Sequence, residues 1–213
     1  MHKVRFRYSK VGRAKYISHL DLMATMQRSF LRAGIKLKYS EGFNPHPYMS
    51  VALPLSVGCE SVCELIDIAL FDDTIPDVGL LKLSDGIEVI EAYQPVRKFS
   101  EISWIKIAGK LHYDKRICDD LLEELKRCLT KDNIVISKKT KRGQKDLDIA
   151  PYIKNVELAN ESEGYLSITA EISAQNPTIK AEDLTSAIGE ELKPVFSDFR
   201  RIGIYDSSMV LFK

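Results

Sequence analysis

No stretch of the 213-residue chain approaches the run of apolar residues that a bilayer requires. The N-terminus, Met1-His2-Lys3-Val4-Arg5-Phe6-Arg7, alternates charge with hydrophobe and builds no signal-peptide core, so the expectation is a cytoplasmic protein without membrane contact. Cysteine is scarce and badly spaced for metals or redox work. Cys59, Cys63, Cys118 and Cys128 form no C-x-x-C pair, and a three-cysteine cluster motif opening at Cys59-x-x-x-Cys63 would need its last cysteine at position 66, where Ile66 stands. They read as small buried thiols in a reducing compartment. Histidine is limited to four residues, and the one metal set within reach, His19, Asp21 and His46, lacks a diagnostic spacing. No metal and no cofactor is expected. Excess charge of one sign is also lacking, with a formal net charge of only +1. What remains, 45% apolar and 29% charged residues, is an ordinary globular balance with room for one domain or two modest ones.

The small total conceals an uneven distribution. The first fifty residues carry ten cations (Lys3, Arg5, Arg7, Lys10, Arg13, Lys15, Arg28, Arg32, Lys36, Lys38) against Asp21 and Glu41, and the remainder is net acidic. Tyr8, Tyr16, Tyr39, Phe43 and Tyr48 are threaded through the same segment. Cations interleaved with aromatic planes suit a phosphate backbone and unstacked bases, although a basic strand edge that guards against aggregation has the same composition.

Within it lies the most particular stretch of the chain, Tyr39-Ser40-Glu41-Gly42-Phe43-Asn44-Pro45-His46-Pro47-Tyr48. Two prolines fix their own φ and push Asn44 and His46 into extended conformations, while Gly42 supplies a reversal. A plain connection would turn on Gly, Ser and Asp. Phe43, Tyr48 and an imidazole on a stiff arm point instead to a ligand surface.

Periodicity predicts an α+β chain with antiparallel sheets. Lys3 to Tyr8 alternates as a strand, with Val4, Phe6 and Tyr8 inward and the arginines outward. A short extended piece over 14–17 leads to Ser18 as N-cap, and a helix runs from 19 to 33, stopped by Gly34. Leu20, Met23, Ala24, Phe30 and Leu31 are its expected core face; Asp21, Thr25, Arg28 and Arg32 share another. Strands follow over 35–39, 49–53 and 63–70, then a weak helix over 75–83 and a strand over 87–93. The order is that of a split β-α-β, ferredoxin-like unit. After Pro95 it starts again: strand 102–111, helix 115–129, strand 134–137 pairing with 165–172, helix 180–191, strand 202–212. Two tandem ferredoxin-like domains, 1–98 and 99–213, are therefore expected. The charged excursion over 138–152 reads as a basic hairpin tip that includes Lys141 and Arg142.

The run from Arg7-Tyr8-Ser9-Lys10 through Ser18-His19-Leu20-Asp21-Leu22, Arg32-Ala33-Gly34, the arm itself and Pro54-Leu55 resembles a bacterial family known as radical-SAM-linked proteins. Lys145-Asp146-Leu147-Asp148-Ile149-x-Pro151-Tyr152 matches as well, so the likeness covers nearly the whole chain. Members stand alone or extend the C-terminus of a radical S-adenosylmethionine protein, and the function of the domain is not established; the resemblance implies a radical SAM partner. The Ser-His-x-Asp helix start and the tandem halves are also similar to the superfamily of CRISPR repeat-processing endoribonucleases. Those carry a glycine-rich loop near the C-terminus, where this chain has only Arg200-Arg201-Ile202-Gly203-Ile204-Tyr205.

These features together predict an RNA-binding adaptor accompanying a radical SAM enzyme, in RNA modification or ribosome-related metabolism. Arg5, Arg7, Arg28 and Arg32, with Lys141 and Arg142, would meet phosphates, while Tyr39, Phe43, Asn44 and His46 would contact a base. Two alternatives stay open. One is a metal-independent endoribonuclease with His46 and His19 as acid and base, a role that an imidazole titrating near neutrality can fill. The other is a module that grips the partner enzyme directly, with its basic face incidental.

Overall fold

The computed structural model of the chain describes residues 2–114, 117–140, 143–162 and 164–213. They form a mixed α+β fold in two compact units, Met1–Glu101 with Lys213, and Ile102–Phe212.

The first unit contains β1 (His2–Lys10), α1 (His19–Arg32), β2 (Met49–Val51), β3 (Glu60–Leu70) and β4 (Ile87–Tyr93). All its strand pairs are antiparallel, β1 lying between β3 and β4, with β2 on the other edge of β3. Val4, Phe6 and Tyr8 are fully buried, as their alternation requires. Arg5, expected outside, is equally buried. It stands opposite Asp67 on β3 and lies 4.3 Å from the ring of Phe99, in the segment that follows β4. Alternation marks two faces of a strand but not whether a later segment covers the second.

α1 begins as its sequence dictates. Ser18 Oγ accepts the Asp21 N–H at 3.1 Å and donates to the Asp21 carboxylate at 2.7 Å, and Gly34, at φ +74°, ends the helix. Its buried stripe is Leu22, Met26, Ser29 and Phe30, with the Phe30 ring 4.9 Å from that of Phe6. Leu20 and Leu31, assigned to the core by periodicity, are 78% and 49% exposed. Apolar residues occupy more than half of this helix's circumference, so spacing alone left its rotation undetermined; Met26 and Phe30, which reach the sheet, fixed it. The expected helix over 75–83 is only a 3-10 turn, Val78–Leu80, capped by Asp77. Gly79 in its middle and Gly86 beyond it favour turn over helix.

The second unit contains β5 (Trp104–His112), α2 (Asp119–Leu129), β6 (Val135–Thr140), β7 (Gly143–Asp148), β8 (Ile153–Ser162), β9 (Tyr165–Ser173), α3 (Ala181–Ser186) and β10 (Phe196–Tyr205). Its sheet runs β10-β5-β9-β8, all antiparallel. Ile105, Ile107, Leu111, Leu166, Ile168 and Phe199 line its core face, and Leu121, Leu125 and Leu129 are the buried residues of α2. Three expectations are corrected here. Residues 134–137 do not pair with β9; β6 and β7 form their own hairpin, and β8 takes that place. Asp148 closes the hairpin by accepting the Ile134 and Ala150 N–H groups at 2.9 and 3.1 Å, after which Pro151 lets the chain start a new strand. The helix expected over 180–191 is interrupted before Gly189, and the last strand begins at Phe196 and stops at Asp206, whose carboxylate accepts the Ser208 and Val210 N–H groups in a tight turn.

With the separate β6–β7 hairpin set aside, and the strands of β4-β1-β3-β2 and of β10-β5-β9-β8 each numbered in chain order, both runs read fourth, first, third, second. Among the described residues no helix is long and apolar enough to cross a membrane.

Candidate functional site

The arm is rooted by a closed ring of backbone bonds. Lys38 N–H donates to the Ala69 carbonyl, Ala69 N–H to that of Tyr48, and Tyr48 N–H to that of Lys38, each at 2.9 Å. One step outward, Tyr39 bridges Pro47, Ser40 N–H donates to His46 O at 2.9 Å, and His46 N–H donates to Ser40 Oγ at 3.0 Å. Both ends are therefore pinned to the end of β3, and the prolines stiffen what projects. Gly42, at φ +119°, makes the reversal.

Residues 41–46 are all exposed, and Phe43 is fully so. Tyr39 and Tyr48 are about half-covered, and Gln27 of α1 donates weakly to the Tyr39 hydroxyl at 3.4 Å. Lys38 Nζ stands 5.8 Å from the ring of Phe71, itself 68% exposed, and Lys36 pairs loosely with Asp72 at 3.7 Å. The arrangement offers four aromatic surfaces, with the exposed Lys36 and the partly exposed Lys38 at the root of one rigid loop. Such a surface stacks planar groups and attracts anions.

The expected residues fall into separate groups. Tyr39, Phe43, Asn44 and His46 share the arm, as their sequence implies. Arg28 and Arg32 are exposed on α1; Arg28 makes no ion pair among the described residues, and Arg32 donates to the Lys82 carbonyl at 3.1 Å. Arg5 and Arg7 do not join them. The Arg5 guanidinium is enclosed, with Nε 2.7 Å from Asp67 Oδ1, Nη2 3.0 Å from Oδ2, and Nη2 2.8 Å from the Arg97 carbonyl. Arg7 is half-buried and pairs with Glu91, its β4 neighbour, at 3.4 Å. A phosphate would have to displace a bidentate carboxylate from a dry site to reach Arg5, so its role is structural. His19 and His46 are exposed, and neither imidazole has a hydrogen-bond partner among the described residues. There, no three His, Cys, Asp or Glu side chains gather closely enough to hold a metal ion, so His19, Asp21 and His46 form no such set. Lys141 and Arg142 lie outside the described residues. Cys63 is buried as expected, but Cys118 is exposed at the start of α2.

The pairing of Lys38 with Phe71 was hidden in the sequence because 32 intervening positions separate them. Only the extra crossing of residues 36–38 against the end of β3 brings them together.

Lys10, counted among the surface cations, is also buried. Its ammonium donates to the Ile17 carbonyl at 2.9 Å and reaches that of Lys15 at 3.5 Å, bracing the segment that leads into α1. Burial pushes its pKa below the ordinary 10.5, and the carboxylate of Glu64 opposes the shift without cancelling it. Between the lowered folded value and 10.5 the unfolded chain holds a proton that the folded chain has released, so stability rises with pH in that window. Urea unfolding at pH 8 to 10.5 should show this slope in the native protein and lose it in Lys10→Met.

The family described as "Uncharacterized protein conserved in bacteria (DUF2344)" matches residues 3–181. The chain belongs to that family. The DUF2344 match runs from the second residue of β1 through β9 to the first residue of α3. No curated protein matches the chain. By fold, this DUF2344 protein is similar to a chain in the crystal structure of a Cbf5-Nop10-Gar1 complex, with a TM-score of 0.51 and 10% identity over 93% of this chain and 47% of that one. It is also similar to a chain of the archaeal box H/ACA sRNP Nop10-Cbf5 complex, with a TM-score of 0.48 and 9% identity over 93% and 46%. The DUF2344 chain spans about half the length of these solved chains. At 10% identity, the likeness to the first is one of fold alone.

Proposed function

We propose that this DUF2344 protein is an RNA-binding accessory protein whose arm, residues 39–48, meets unstacked bases while Lys36, Lys38 and Arg28 meet phosphates. One observation carries the reading: Phe43 is held fully in water on a loop that backbone bonds and prolines make rigid, and the segment leading into that loop carries Lys36 and Lys38. A scattered exposed hydrophobe needs no explanation, but one on a braced arm keeps its surface ready at little entropic cost on binding. We also read the two units as tandem ferredoxin-like domains divided near residue 98; their common strand order supports this. Association with a radical SAM enzyme rests on the motif resemblance and is part of the same proposal. It predicts that such an enzyme co-purifies with the protein from its own cell.

Binding to single-stranded RNA should weaken steeply from 50 to 200 mM salt, as expected when about three phosphates are neutralised. Phe43→Ala should weaken it ~5- to 100-fold, the range for loss of one stacked base. Affinity indifferent to both salt and Phe43 would overturn the reading. The exposed imidazoles of His46 and His19 favour a second one. Cleavage of RNA in the presence of chelator, abolished by His46→Ala with binding retained, would replace the adaptor with an endoribonuclease.

A further inference from the structure

The second unit carries a different feature that its sequence did not advertise. One face of its sheet is closed by Leu111, Leu166 and Ile168; the other presents a row of rings. Phe196 on β10, His112 on β5 and Tyr165 on β9 are direct cross-strand neighbours. The His112 centroid lies 5.6 Å from each of the other two, both pairs tilted by 41°. Asp198 Oδ2, 3.0 Å from His112 Nε2, fixes the imidazole in the row. Lys110 sits 4.5 Å over the Tyr165 ring, and Phe196 is 57% exposed.

Ordinary cross-strand stabilisation explains part of this row, but it does not require three rings abreast with the outermost left in water. The next positions on the same face are short or cationic. Ser167 and Ala108 leave the rings unshaded, and Lys110 and the exposed Arg200 stand beyond them. Two carboxylates share these rows: Asp198 is engaged by His112, and Glu157, at the β8 end of the row that holds Arg200 and Ala108, accepts from the Thr169 hydroxyl at 3.1 Å. An aromatic row spanning neighbouring strands, bordered by lysine and arginine, has the dimensions of two or three bases laid across a sheet.

We propose that this face is a second single-stranded nucleic-acid surface, with bases stacked along Phe196, His112 and Tyr165 and phosphates running toward Lys110 and Arg200. It lies wholly within the second unit and does not depend on the arm. The test uses the full chain and fluorescein-labelled octauridylate, followed by anisotropy. Phe196→Ala and Tyr165→Ala should each weaken binding by ~5- to 100-fold. Phe196→Tyr should bind as the native protein does, and the exposed position 196 should leave the unfolding midpoint unchanged. A parallel titration with octathymidylate tells whether the 2′-hydroxyl matters. Binding within twofold of native in both alanine variants would overturn the proposal, as would no binding by the native chain. Unaltered oligonucleotide affinity with altered self-association in those variants would mark the face as a protein interface and also overturn it. Phe43→Ala reports on the arm alone: loss there with none at positions 165 and 196 leaves the adaptor reading standing and removes this one.

Discussion

Arg5→Ala is expected to lower the unfolding free energy by about 3–5 kcal/mol, because it strands the largely enclosed carboxylate of Asp67 without its partner. The same change removes the donor to the Arg97 carbonyl and the cation beside Phe99, so β1, β3 and the segment after β4 lose a common tie. Urea denaturation checks it. Arg5→Met combined with Asp67→Leu should recover much of the loss, since well-packed apolar replacements often match a buried pair. A loss below about 1 kcal/mol for Arg5→Ala would mean that the guanidinium is solvated and available to a ligand.

That residue also shows where sequence reading stops. Val4-x-Phe6-x-Tyr8 gave the inward face of β1 correctly, and Ser18 with Asp21 located the start of α1 to the residue, since both are local effects. The fate of Arg5 depended on residues 62 and more positions away. The same limit hid the rotation of α1, where tertiary contacts through Met26 and Phe30 chose among several apolar stripes. It hid β8 too, an edge strand whose Lys154 to Asn160 run has no clean alternation and whose register shifts between Lys154 and Glu157. The arm was legible because prolines act on the backbone directly; its neighbours Lys38 and Phe71 were not, because only chain crossing joins them.

The second large effect is expected at Gly86. A Cβ there would lie 2.3 Å from the Val11 carbonyl oxygen and 3.0 Å from Ala14 Cβ, at a φ of +83° that side chains rarely adopt. The Gly86 carbonyl meanwhile accepts the Val11 N–H at 2.8 Å, so the two backbones cannot separate without losing that bond. Gly86→Ala should therefore cost at least about 2–4 kcal/mol and displace the turn that feeds α1. Gly12→Ala is the control. At φ +59° with nothing within 4 Å of its Cβ, it should cost only the ~1–2 kcal/mol of the left-handed backbone. Equal losses at the two positions would show that the close approach at Gly86 relaxes freely.

Whether the arm receives RNA is decided by ultraviolet crosslinking of the full chain to single-stranded RNA, followed by mapping of the adducts to residues. Adducts are expected on Phe43, Tyr39 or Tyr48, and they should disappear as salt is raised. Adducts confined to residues outside 36–50, or none at any salt concentration, would contradict this expectation.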